Sequence, residues 1–330
     1  MTDGHFGLRA FLLALAVVAV WGTNFVVIRL GLDALPPLLF AALRFTLVII
    51  PALLFIKRPP VPWRDLAAYG LLIGVGQFGL LFIAIDGLIA PGLASLIVQV
   101  QVVFTIGLAM RGTGERLVAS QYAALALALA GLAIILAHTG GTTTVLGVVL
   151  VIGAALAWSL GNMVQRRAGK VDMLGFVIWS SLFAVPPLFA LAFLFEGAPR
   201  IVQALTAATP MVWLAIAWQA VGNTMFGYGA WGWLLARYPA ASVAPMALLV
   251  PVFGMGGAAL WLGEPLPPWK LLAAALIIGG LAVNIFGSRL VNSLPIATCG
   301  RLRLRGKATR RQPSGVGVPA STDEVPPTSS

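Results

Sequence analysis

The chain has 330 residues, 60% hydrophobic and only 9% charged, with a mean hydropathy of +0.98. Soluble domains carry about 25% charged residues and about 45–50% apolar ones, and a water-soluble core cannot cover this much apolar sequence. A soluble enzyme, a nucleic-acid-binding module and a disordered chain are excluded, and the composition is that of a membrane protein. The net charge of +11 does not change this, because seven of the 21 Lys/Arg lie at or beyond Arg289 and most others fall in gaps between apolar segments. Charge so placed is a topology signal, not a phosphate-binding face. With one cysteine, Cys299, and two histidines, His5 and His138, no disulfide, metal site or cofactor is expected.

A bilayer core of about 30 Å takes about 20 apolar residues per helix. Ten segments qualify, at 8–30, 36–56, 66–86, 91–111, 118–138, 144–165, 173–195, 211–235, 240–262 and 270–289. The predicted fold class is an all-α membrane protein of ten transmembrane helices. Nine spans follow the first, so that segment reads as a retained helix and not a signal peptide.

In chain order, Trp21 and Asn24 share one face of the first span. Arg44 is the one charge central in a span. An arginine at that depth costs roughly 2.5–3.5 kcal/mol on insertion scales and needs a partner. That partner is either a set of backbone carbonyls at a helix break or an anionic group on a substrate. Gln77 follows on span three, within Gly74-Val-Gly76-Gln-Phe-Gly79. This run and Gly227-Tyr-Gly229-Ala-Trp-Gly232 fit a dinucleotide fingerprint, but neither follows a strand, so both read as close helix contacts.

Gln99 and Gln101 on span four lie about 200° apart on an α-helix, so at most one is expected to face a cavity. Trp158 and Asn162 on span six repeat the Trp/Asn pairing of span one, and Asn223 lies on span eight. Unpaired amides are costly in lipid, so these groups face the protein interior, towards substrate or one another. Asp86, Glu115 and Glu264 sit near span ends.

With the N-terminus inside, 17 Lys/Arg fall on the inner side, three outside (Arg29, Arg200, Lys270) and one, Arg44, within a span. Both termini are therefore expected in the cytoplasm. The halves repeat: Phe104 and Phe253, Glu115 and Glu264, and Gly131-Leu132-Ala133 and Gly280-Leu281-Ala282 all match at an offset of 149. Five spans per half make the second copy enter the membrane upside down, the inverted repeat of secondary transporters. The expected organisation is a first repeat over 1–139, a second over 140–290, and a disordered basic tail over 291–330.

Several stretches resemble the EamA-type branch of the drug/metabolite transporter superfamily. They include Trp21-Gly22-Thr23-Asn24-Phe25, Leu43-Arg44-Phe45, Gln99-Val100-Gln101, Gly227-Tyr228-Gly229 and Leu248-Leu249-Val250-Pro251-Val252. The family's proline followed thirteen residues on by glutamate is met by Pro251 and Glu264. In the first half Val102 stands where that proline would be, which removes the local reason for a helix break there.

The resemblance implies two inverted five-helix repeats in a bacterial inner membrane. It also implies export of small amino-acid-like metabolites of the O-acetylserine/cysteine type by alternating access. The implied partners are a small zwitterionic metabolite and membrane lipid, with the protein a monomer or homodimer. Candidate substrate-binding residues are Arg44, Trp21, Asn24, Gln77, Gln99, Gln101, Trp158, Asn162, Asn223 and Tyr228. Coupling candidates are Glu115, Glu264 and Asp86. No ATP-binding loop is present in the sequence. The alternatives are export of another small metabolite or drug, or a membrane-embedded lipid-modifying enzyme.

Overall fold

A computed structural model describes residues 7–113, 119–141, 143–169, 171–238 and 240–293. Glu115 and the basic tail beyond 293 lie outside the described residues. Within them the chain is all-helical. Helix α1 spans Leu8–Leu32, α2 Pro37–Phe55 and α3 Trp63–Ile85, and α4 covers 91–113. Then come α5 at Ala119–Ala137, α6 at Val145–Ala168, α7 at Met173–Phe195 and a short α8 at Ala198–Thr206. Helix α9 runs over Pro210–Arg237, α10 over 240–262 and α11 over Pro268–Ser293.

Local chemistry sets the boundaries. The Thr144 hydroxyl accepts the Gly147 N–H and donates to the Leu88 carbonyl, so one cap starts α6 and pins it to the loop before α4. Asp172 caps α7 through the Gly175 N–H. Helix α10 ends on Gly263 at φ 64°, the left-handed position that glycine takes without steric cost.

Seven of these helices are long and apolar enough to cross a membrane, or eight if α8 and α9, bent by 105° at their junction, form one span. Two more, Pro37–Ile50 and Pro91–Thr105, are apolar but shorter. Helix α8 has no place among the segments expected from hydropathy. It is short and two-faced, burying Ile201 and Ala204 while Arg200 and Gln203 stay exposed.

The helices pair in a pattern: α1 packs on α10 and α9, α6 on α4 and α3, α2 on α7, and α5 on α11. Small residues make the approaches close, as expected where lipid supplies no hydrophobic drive between helices. A Cβ on Gly22 would strike Phe253 and the Val250 carbonyl of α10, and one on Gly74 would strike Ala184 of α7. At the α5–α11 contact the geometry is reciprocal. A Cβ on Gly131 would meet Ile277 at 2.7 Å and the Ala273 carbonyl at 3.0 Å. One on Gly280 would meet the Ala124 carbonyl at 2.8 Å and the Ala128 N–H at 3.4 Å. Each contact becomes the other when residue numbers move by 149, and the two helices run antiparallel.

Two irregularities recur in the same way. Helix α3 widens to a π-helix over Leu71–Gly79 and α9 does so over Trp218–Phe226. Helix α4 tightens to a 3-10 turn at Val98–Val100, and α10 does so at Ala244–Leu249. The α4 break forms although Val102 replaces the proline, so the break does not depend on that residue.

Candidate functional site

The breaks and π segments face one another around a cavity of about 260 Å³, walled by α1, α3, α4, α6, α9 and α10, with Met173 of α7 at its edge. Nine of the ten sequence-derived candidates line it: Trp21, Asn24, Gln77, Gln99, Gln101, Trp158, Asn162, Asn223 and Tyr228. Arg44 does not. Both Gln99 and Gln101 reach the cavity, contrary to the expectation from a regular helix. The 3-10 turn between them changes the pitch and direction of α4, so the 200° separation of an unbroken α-helix does not apply.

The wall alternates aromatic faces and amides. The Trp21 ring packs on Tyr228 and Trp231, with centroids 5.6 and 5.2 Å away, and its Nε1 donates to the Asn223 carbonyl at 3.2 Å. Opposite, the Asn162 Nδ2 and the Thr105 hydroxyl both donate to Gln101 Oε1 at 3.2 Å, while Ser159 donates to the Gln101 carbonyl. These bonds fix the amide ends of α4 and α6. Two other residues of the wall, Asn24 and Gln77, have their amide oxygens, Oδ1 and Oε1, buried with no donor among the described residues. An unmet acceptor in an apolar setting costs about 1–3 kcal/mol.

Arg44 lies behind the wall with no solvent exposure. Its Nη2 donates to the Thr224 hydroxyl at 2.9 Å, and that hydroxyl donates to the Gln219 carbonyl. The guanidinium stacks 3.9 Å from the Phe78 ring centroid and 4.8 Å from that of Phe45. A hydroxyl and two aromatic rings hold it here, not the set of carbonyls foreseen. Thr224 and Phe78 belong to the two π segments, so Arg44 ties α9 to α3 through α2.

Of the coupling candidates, neither described carboxylate lines the cavity. Asp86 closes the end of α3. Glu264 accepts the Lys270 ammonium at 2.7 Å on Oε1 and the Gly92 N–H at 2.9 Å on Oε2, which caps α4 from the loop between α10 and α11. Sequence reading missed Lys270 as its partner and Glu196 as a cap of α2. Among the described residues no cluster of His, Cys, Asp or Glu could hold a metal ion.

Residues 8–137 and 145–286 each match the EamA-like transporter family. A Salmonella typhimurium protein called a probable amino-acid metabolite efflux pump is 42% identical over 283 residues, 84% of this chain and 95% of its own length. Its Escherichia coli K12 counterpart, of the same name, shows the same figures. A probable terminal-alkyne amino-acid exporter of Streptantibioticus cattleyicolor is 29% identical over 80% of this chain and 89% of its own. A crystal structure 22% identical in sequence superposes with a TM-score of 0.59 over 86% of this chain and 99% of its own, a likeness of fold alone. The lipid-modifying enzyme considered from sequence is thereby set aside. As a multi-pass membrane transporter and not an enzyme, the chain belongs to the EamA-like transporter family.

Proposed function

We propose that this protein exports small amino-acid-like metabolites, of the O-acetylserine/cysteine type, across a bacterial inner membrane by alternating access. The observation that carries this reading is the pair of unmet acceptors, Asn24 Oδ1 and Gln77 Oε1, on residues of a cavity wall rich in aromatic faces. An ammonium group supplies the missing donors and is attracted to the π faces of Trp21 and Tyr228. The cavity, at about 260 Å³, falls below the roughly 300–1,000 Å³ typical of sites for drug-sized ligands. That favours a small metabolite over a drug. The names of the 42% identical relatives support the same class.

The architecture we infer is ten spans in two inverted five-helix repeats, over 1–139 and 140–290. Support comes from the reciprocal, antiparallel Gly131 and Gly280 contacts and from π segments at matching helices. The two shorter apolar helices and α9, with α8 as a bent entry, complete the ten. Both termini lie in the cytoplasm, as the charge bias requires. Export follows the substrate gradient or is coupled through Glu115, Glu264 or Asp86.

Counterflow in proteoliposomes tests the function. Proteoliposomes loaded with unlabelled cysteine or O-acetylserine should accumulate labelled cysteine, and Asn24→Leu with Gln77→Leu should abolish the accumulation while the protein stays monodisperse. Accumulation unaffected by that double substitution would sink the assignment of the site.

A further inference from the structure

The cavity wall carries no formal charge, yet a guanidinium lies one aromatic ring behind it. Phe78 is part of the wall, and the Arg44 guanidinium lies over its ring, 3.9 Å from the centroid. The arginine is fully buried, and among the described residues no carboxylate forms an ion pair with it. Its Nε and Nη1 have no hydrogen-bond partner. A tie between two helices needs neither a permanent charge nor N–H groups left without acceptors, and burying both is costly. A guanidinium pairs with planar oxygens through two parallel hydrogen bonds, from Nη2 together with either Nε or Nη1, and an ammonium does not. Thr224 takes one of the two Nη2 hydrogens, so such a fork remains on the other.

Resting on the amino-acid reading of the cavity, we propose that Arg44 receives the substrate's carboxylate and that Phe78 is the shutter between them. The ring turns aside along the wall, and the carboxylate takes its place on the guanidinium. Asn24, Gln77 and the indole of Trp21 meanwhile hold the ammonium end. Several features permit the movement. Phe78 borders open cavity on one side, and it stands in a π-helical stretch between Gly76 and Gly79. Thr224 takes a single Nη2 hydrogen, so the guanidinium stays anchored to α9 while its second Nη2 hydrogen and a free neighbouring N–H donate to the ligand. Filling the site therefore links the two π segments through the substrate itself. A zwitterion satisfies both the unmet acceptors and the unmet donors, whereas a neutral amine satisfies only the first.

Cysteine and cysteine methyl ester, which lacks the carboxylate, separate the alternatives in binding measurements on the purified full chain. Arg44→Lys should weaken cysteine binding about tenfold or more, the scale of a lost charge-assisted bond, and leave the methyl ester unchanged. Phe78→Leu, which thins the shutter and keeps Arg44, should raise the preference for cysteine over its ester. Equal weakening of both ligands by Arg44→Lys, or no change in either, overturns the proposal and leaves Arg44 a helix tie. Should Arg44→Lys fail to fold, an unchanged preference in Phe78→Leu overturns it and an increased one upholds it. Wild-type protein that binds the ester but not cysteine overturns this proposal alone. Wild-type protein that binds neither ligand overturns the functional reading as well.

Discussion

Lys270 is a lysine with 5% of its side chain exposed, and its ammonium is shared between Glu264 Oε1 and the Pro265 carbonyl at 2.7 and 2.9 Å. Burying two charges together gives little net stability, but removing one partner strands the other and costs about 3–5 kcal/mol. Lys270→Met should therefore lower the melting temperature by several degrees in detergent. Adding Glu264→Gln should recover most of the loss, since the stranded charge is gone. A double variant as unstable as the single one would show that the pair is not the source. At this scale much of the site was legible in the sequence. Amides placed mid-span have nowhere to go but inward, and nine of the residues named line the cavity. What could not be read was which of them pair. Arg44 finds Thr224 180 residues away, and Gln101 finds Asn162 61 residues away. No local spacing encodes those distances.

A single carboxylate governs the start of α2. Glu196, just past the end of α7, accepts the Leu38 N–H at 2.6 Å and the Leu39 N–H at 3.0 Å. It thereby satisfies two of the donors that a helix N-terminus leaves free. Burial raises its pKa above the ordinary 4.5, against the lowering pull of the two N–H donors and Arg200, while Asp86 adds to the rise. The folded protein thus holds this proton more tightly than the unfolded chain. Its contribution to stability is full below about pH 4.5 and is lost as pH rises through the raised value. Melting temperature followed across that range should fall in wild type, and the fall should be smaller in Glu196→Gln. Parallel curves for the two proteins would rule out Glu196 as the cause. Helix positions were readable from hydropathy, because a bilayer demands long apolar runs whatever the tertiary partners. The 3-10 turn of α4 and the two π segments were not, since hydropathy carries no signal for a change of helical pitch. Helix α8 was missed for a related reason, being too short and too two-faced to raise the local hydropathy.

Among the described residues the pairings α1 with α10, α4 with α6, and α5 with α11 each join a helix of the first matched stretch to one of the second. An antiparallel contact that maps onto itself when numbers shift by 149 supports the proposed opposite orientation of the two matched stretches, 8–137 and 145–286. This agrees with the charge count from sequence, so reporter tags at the N-terminus and after Ser293 should both read out from the cytoplasm. A periplasmic signal at either tag would break the inverted arrangement. The same reciprocity has a consequence for how the chain is made. At about 5–20 residues per second, α5 leaves the ribosome roughly 7 to 30 seconds before α11 is available to cover Gly131. Through that interval the first five helices hold a bare small-residue face in the membrane. The protein that shields it until Ile277 arrives, whether an insertase or a neighbouring copy, becomes part of its assembly path.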